Sequence, residues 1–279
     1  MRNTFRFLLG NLHDFDPAQH AVAWEKLEPL DQYMLARARE LTTKVLRWYE
    51  EFEFHRIYHA VNEFAIVDLS ALYADVLKDR LYTFAPNSAA RRAAQTVLWK
   101  ITDALARLVA PILSFLADEV WQYLPADSKR DASVHTTLFP APDELAPAGQ
   151  DALLADWAQL LAIRETAMRS LEEARQQKRI GKALEAKLTL EVPAAPLKIA
   201  RRYESSLKEL FNVSQVELAS TAGEEVRATT TDADGAKCTR CWNYRTDIGV
   251  DPRWATVCGR CAGALDEIGF PPLDEEDAA

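Results

Sequence analysis

Glycine-rich phosphate loops are missing from this sequence. Neither G-x-x-x-x-G-K-[ST] nor G-x-G-x-x-G occurs, so no loop is patterned to cradle a nucleotide's phosphates. The five histidines (His13, His20, His55, His59 and His135) include no H-E-x-x-H arrangement. His55 and His59 share a helix face by spacing and read as surface or core residues. No run approaches the roughly 20 apolar residues of a membrane-spanning helix. The apolar run at the N-terminus is too short for a signal peptide. Without such motifs the chain does not read as a self-sufficient enzyme, and no residue is assigned a catalytic role. Reduced thiols, no export signal and no span predict a cytoplasmic protein. The formal net charge of −9 argues against broad nucleic-acid affinity. It leaves room for a local basic patch, because part of the acidity sits in the tail Asp274–Asp277.

Cysteine is scarce, and its placement is the most informative feature present. The four cysteines form Cys238-Thr-Arg-Cys241 and Cys258-Gly-Arg-Cys261, two C-x-x-C pairs separated by sixteen residues. That is the spacing of a four-thiolate zinc site, in which each tight knuckle supplies two sulfurs of a tetrahedron. Four thiolates leave no open position for water, so one structural zinc is expected. A pair of disulfides is the alternative, and the rest of the chain gives no sign of an oxidising compartment. A rubredoxin-like iron site is a further alternative, since four thiolates also hold iron.

Apolar periodicity predicts a mainly α architecture. Leu27, Leu30, Met34, Leu41, Val45, Trp48 and Phe52 recur at three- and four-residue steps. Ile57 to Val76 and Ala94 to Leu108 repeat the pattern; Pro111 stops the third stripe, and a fourth helix runs from Ile112 to Leu124. Residues 1–139 thus read as a helix bundle. Pro140, Pro142, Pro147 and Gly149 mark a linker. Residues 150–219 read as a long helix plus a small α/β subdomain. Leu188, Leu190 and Val192 alternate with polar residues as one strand, and Val216 and Leu218 mark another. Residues 220–236, poor in large apolar side chains, read as a flexible tether. The zinc module takes 237–265, and an acidic tail takes 266–279.

Cations and aromatics surround the cysteines: Lys237, Arg240, Arg245, Arg253 and Arg260, with Trp242, Tyr244 and Trp254. The cations can balance the thiolate charge. Alternatively they hold phosphates while an exposed aromatic stacks on an unpaired base. Spacing alone does not separate these readings.

In order along nearly the whole chain, the residues resemble bacterial-type isoleucyl-tRNA synthetase. Arg2-Asn-Thr-Phe-Arg-Phe-Leu-Leu-Gly-Asn11 is similar to the helix that starts its anticodon-binding domain. Asp31, Lys78-Asp-Arg-Leu-Tyr82, Ala110-Pro-Ile-Leu-Ser-Phe115 and Ala117-Asp-Glu-Val-Trp121 fit the same domain. Ile180-Gly-Lys-Ala-Leu-Glu-Ala186 resembles the junction that follows. Cys238-Thr-Arg-Cys241-Trp242 with Cys258-Gly-Arg-Cys261 resembles the C-terminal zinc finger, a type related to that of certain DNA glycosylases.

The resemblance implies a tRNA-recognition portion of a larger class I ligase. Its ATP-binding HIGH and KMSKS motifs and its valine-editing domain have no counterpart here, so ATP belongs to the missing part. A shortened reading frame or an excised piece would explain the start at Met1, and the chain alone is expected to be inactive. The implied partner is isoleucine tRNA, gripped at its anticodon loop and stem by a monomer, with no DNA and no membrane. The implied contacts are Trp242 as a stacking platform and Arg240 as a hydrogen-bonding or phosphate-binding fork. Arg2, Arg6, Arg91 and Arg92 are candidate backbone contacts, with Lys178, Arg179 and Lys182 at the junction. A free-standing RNA-binding or regulatory protein derived from such a synthetase is the competing reading.

Overall fold

A computed structural model describes residues 1–125 and 131–271. Most of the predicted stripes become helices, and the chain divides into two units: residues 1–81 with 87–154, and 82–86 with the chain from Ala155 on.

In the first unit, α1 (Arg2–Gly10) buries Phe5 and Leu8, and α2 (Pro17–His20) is one turn. Asp16 caps that turn, its carboxylate accepting from the Ala18 amide at 2.9 Å. α3 (Pro29–Glu50) opens on a proline, where a missing N–H leaves no bond unmade. Its buried Leu30, Met34, Leu41 and Val45 follow the predicted stripe, but Trp48 is half-buried and Phe52, past the helix end in the left-handed region, is exposed. The second stripe departs from expectation. α4 (Phe54–Glu63) gives way to a π-helical stretch from Phe64 to Tyr73, then to α5 (Ala74–Val76) and α6 (Lys78–Thr83). A ladder of i→i+5 bonds turns later side chains around the axis, so one periodicity does not describe the whole run. α7 (Ala89–Val109) stops just before Pro111, and α8 (Ser114–Tyr123) follows. The proline-rich stretch is not a loose linker. It forms a 3-10 turn at Pro142–Glu144, buries Leu145 and Ala146, and is fastened by Lys100 Nζ on the Glu144 carbonyl at 2.6 Å.

Two polar networks sit within this helical core. Arg80 Nη1 donates to Asp31 Oδ2 at 2.9 Å and the Tyr73 hydroxyl donates to Asp31 Oδ1 at 2.7 Å. In the second, Arg91 donates to both Asp14 oxygens at 2.7 and 3.0 Å, and Gln95 Nε2 donates to Asp14 Oδ1 at 2.7 Å. Arg92 donates to Asp14 Oδ2 at 3.3 Å and to Asn87 Oδ1 at 3.0 Å.

The second network corrects a sequence expectation. Arg91 and Arg92 are each only 8% exposed, so they brace the bundle rather than offer charge to a phosphate backbone. The network also sets a pH dependence. Burial alone would raise the Asp14 pKa, but hydrogen bonds from Arg91 and Gln95 and the charges of both arginines hold it well below the usual carboxylate range. A depressed folded-state pKa contributes stability above the unfolded value of about 3.9, and that stability is lost as pH falls toward the folded value. Asp14→Asn should therefore lower the urea midpoint at neutral pH and flatten its decline below about pH 4. Parallel acid limbs for mutant and wild type would contradict this assignment.

In the second unit, α9 (Asp151–Gln176) buries Trp157, Leu160, Ile163, Ala167 and Leu171. β1 (Ala186–Pro193) buries Ala186, Leu188, Leu190 and Val192 on alternate positions, as predicted. α10 (Ala194–Arg202) and α11 (Glu204–Phe211) carry the chain back to β2 (Gln215–Thr221), which lies parallel to β1 with Leu190 opposite Leu218. β3 (Arg227–Asp232) pairs antiparallel on the other side of β1, so the order is β2-β1-β3.

That third strand overturns the flexible tether expected over 220–236. Thr229, Thr230 and Thr231 are β-branched and favour extended backbone. Thr230 is buried, and its hydroxyl pairs with Ser170 Oγ of α9 at 2.8 Å. Backbone pairing with β1 and one buried hydroxyl, rather than large apolar groups, hold the strand, which is why hydropathy missed it. The chain then forms the hairpin β4 (Ala236–Lys237) and β5 (Tyr244–Arg245), followed by α12 (Gly259–Glu267). The Asp274–Asp277 acidic run lies outside the described residues.

Candidate metal centre and nucleic-acid surface

The turn between β4 and β5 is the first cysteine knuckle. Cys238 N donates to the Asn243 carbonyl and Trp242 N to the Cys238 carbonyl, both at 2.9 Å, which curls Cys238 and Cys241 toward one point. The second knuckle opens α12, with Cys258 at its N-cap and Cys261 in its first turn. A bridge between Ile248 and Cys258 brings the two knuckles together. All four sulfurs lie within 4.8 Å of one another and all four cysteines are buried.

The donors fit a tetrahedral ion. Zinc–sulfur bonds of about 2.3 Å imply tetrahedron edges of about 3.8 Å, and Cys241 Sγ lies 3.9 Å from Cys258 Sγ. That separation is far beyond a disulfide of about 2.05 Å, and all four thiols are free. The disulfide alternative therefore fails. Crowding also makes the bare cluster self-opposing. Thiols this close oppose one another's ionisation, because each thiolate formed disfavours a second beside it. A dication reverses this opposition by stabilising every thiolate at once. Around the cluster, Trp254, Val257, Ala262 and Leu265 supply a small apolar core. Trp254, one of the aromatics around the cysteines, is a core residue.

The two readings of the surrounding cations separate residue by residue. Arg245 Nε pairs with Asp247 at 3.1 Å, and Arg253 pairs with Asp251 at 2.8 Å and Asp266 at 2.5 Å. Arg240 Nη1 and Arg260 Nη2 each lie 3.8 Å from Cys261 Sγ, and Arg240 Nη1 also donates to the Thr83 carbonyl. These four arginines balance nearby charge or brace the module. Arg240 therefore does not present an open fork.

Lys237 and Trp242 are different. Trp242 is 52% exposed and sits at φ +64°, in the left-handed region. Lys237 Nζ lies 5.8 Å from its ring centroid, and Lys182 Nζ lies 4.8 Å away. Lys182 comes from the basic turn after α9, in which Gly181 N donates to Glu185 Oε2 at 2.6 Å. Sequence order gave no reason to set Lys182 beside Trp242; the fold brings them together. Of the other candidates, Lys178 is exposed at φ +56°. Arg179 donates to the Thr230 carbonyl at 2.9 Å. Arg6 is exposed on α1, and Arg2 lies 3.5 Å from Glu119.

A family model described as the anticodon-binding domain of tRNA ligase matches residues 31–190. The chain belongs to that family. A second model, a zinc finger found in FPG and IleRS, matches residues 235–263, which frame the four cysteines and favour zinc over iron. The isoleucine--tRNA ligase of Dichelobacter nodosus is 45% identical over 270 residues, which is 96% of this chain and 29% of that protein. That of Desulforamulus reducens is 42% identical over 277 residues, 96% of this chain and 30% of that protein. The chain thus spans under a third of the length of these relatives. Among the described residues of this tRNA ligase family member, no helix is long and apolar enough to cross a membrane.

Proposed function

We propose that this chain binds the anticodon loop of isoleucine tRNA in the cytoplasm, as part of an isoleucine--tRNA ligase. Trp242 is the surface on which an unpaired base stacks, and Lys182 and Lys237 hold phosphates beside it. Zinc, bound by Cys238, Cys241, Cys258 and Cys261, supplies no chemistry; it would hold the knuckle that carries Trp242. Arg2, Arg6 and Lys178 are further candidates for backbone contacts, while Arg179 is partly engaged by Thr230.

The observation that carries this reading is the conformation of Trp242. A left-handed residue at the knuckle's end is served without strain by glycine. A bulky side chain there costs on the order of 1–2 kcal/mol, yet this chain places an exposed indole at φ +64° with two ammonium groups near its ring. Strain held on an exposed aromatic points to use of that ring.

Trp242→Gly separates use from structure. It relieves the backbone and removes the ring, so one zinc per chain should be retained while tRNA affinity falls roughly 5- to 150-fold, as expected for loss of one base stack. Fluorescence anisotropy with isoleucine tRNA and an anticodon-altered version measures this. The anticodon-altered tRNA should bind more weakly to the wild type, and the mutant should discriminate less. Wild-type binding should also weaken steeply with salt as phosphate contacts release counterions. Equal affinity of mutant and wild type for both tRNAs would remove Trp242 from the interface.

A further inference from the structure

Two guanidiniums converge on one sulfur of the metal cluster. Arg240 Nη1 and Arg260 Nη2 each lie 3.8 Å from Cys261 Sγ. Both also hold a short segment distant in sequence, Tyr82–Pro86, which belongs to the same unit as the metal module. Arg240 Nη1 donates to the Thr83 carbonyl, and the Arg260 guanidinium lies 4.3 Å from the centroid of the Phe84 ring. Each arginine therefore has one anchor on a metal-ligand sulfur and another on residues 83–84.

We propose that Arg240 and Arg260 form a clasp that makes the order of Tyr82–Pro86 depend on occupancy of the metal site. The proposal rests on the zinc reading above. Four thiolates around one dication leave a net negative charge, and N–H donors on a ligating sulfur share that charge and fix the ligand's direction. The ion in turn holds both knuckles. Arg240 lies inside the first and Arg260 inside the second, so the same ion that sets their backbones aims both side chains at residues 83–84. Without the ion the two knuckles lose their common centre, and the arginines lose both sulfur and direction. Arg240 is accordingly a positioning residue in this chain; Trp242 rather than Arg240 is left to meet a base.

The test uses the full zinc-loaded chain. Zinc per chain is measured first, then zinc transfer to a chromophoric chelator, then hydrogen exchange of the peptide covering residues 82–86. Chelation of the wild type should speed exchange at 82–86. The double variant Arg240→Gln/Arg260→Gln should retain zinc at saturating metal, hold it about tenfold more weakly and so yield it faster to the chelator, and exchange at 82–86 like the chelated wild type. Unchanged exchange in the chelated wild type would overturn the clasp, even if the double variant failed to fold. So would normal zinc release by a folded double variant. A wild type holding no zinc would instead remove the metal reading itself, and the clasp with it.

Discussion

Replacing Cys241 by serine is expected to release the metal and unfold the module from β4 through α12, while the helical unit stays folded. A serine hydroxyl does not supply the thiolate that a zinc site of this type requires. The apolar core around the sulfurs consists of little more than Trp254, Val257, Ala262 and Leu265. A core that small does not order its chain without a staple. Zinc binding in comparable finger peptides contributes about 10–16 kcal/mol, which makes folding and metal binding one event. The first unit has its own core, with Met34, Leu35, Val97, Leu98 and Ile101 essentially inaccessible to solvent. Metal analysis, limited proteolysis and far-ultraviolet circular dichroism distinguish the outcomes. Zinc should be lost and cleavage should concentrate between Ala236 and Ile268, with most of the helical signal kept. Retention of zinc, or collapse of the helical signal, would contradict the division drawn here.

The second large effect lies in the bundle. Arg80→Met should destabilise the first unit by about 3–5 kcal/mol, because it strips a buried carboxylate of its cation. The Asp31 side chain is 0% exposed and that of Arg80 3% exposed, so water cannot replace the lost partner. Methionine matches much of the arginine stem, so packing loss is a minor part of the expected cost. The informative comparison is the double variant Asp31→Leu/Arg80→Met. Removing both charges removes the desolvation penalty as well, so the double variant should be more stable than Arg80→Met alone. Urea unfolding followed by circular dichroism gives the three free energies. A single variant costing under about 1 kcal/mol would mean that the pair contributes no more than a surface bridge, and a double variant no better than a costly single would mean that the unpaired Asp31 carboxylate is not the source of the cost.

Asp31 and Arg80 also show how far the sequence could be read. Both stand in stretches that resemble the anticodon-binding family, but nothing local says that they meet. A periodic stripe reports which face of a helix is buried, because that depends on neighbours three and four residues away. It does not report which partner that face finds. So Leu30 to Val45 and Ala94 to Leu108 were legible as helices, while the pairing of Arg80 with Asp31 and of Arg91 with Asp14 was not. Arg91 and Arg92 stood as candidate backbone contacts for the same reason. β3 was hidden differently: its buried contact is the Thr230 hydroxyl, which hydropathy counts as polar.

By itself the sequence determined the metal centre and the helical character of the first unit. Ligand spacing and apolar periodicity are local properties, written within a few turns of chain. Only the tertiary structure decided what surrounds the metal. It committed Arg240 to Thr83 and Cys261, buried Trp254, and carried Lys182 to the exposed ring of Trp242. The contact of Arg240 with Thr83 and that of Lys182 with Trp242 join residues 157 and 60 positions apart. Such encounters depend on the closure of the β2-β1-β3 sheet and the knuckles, which no short window of sequence contains.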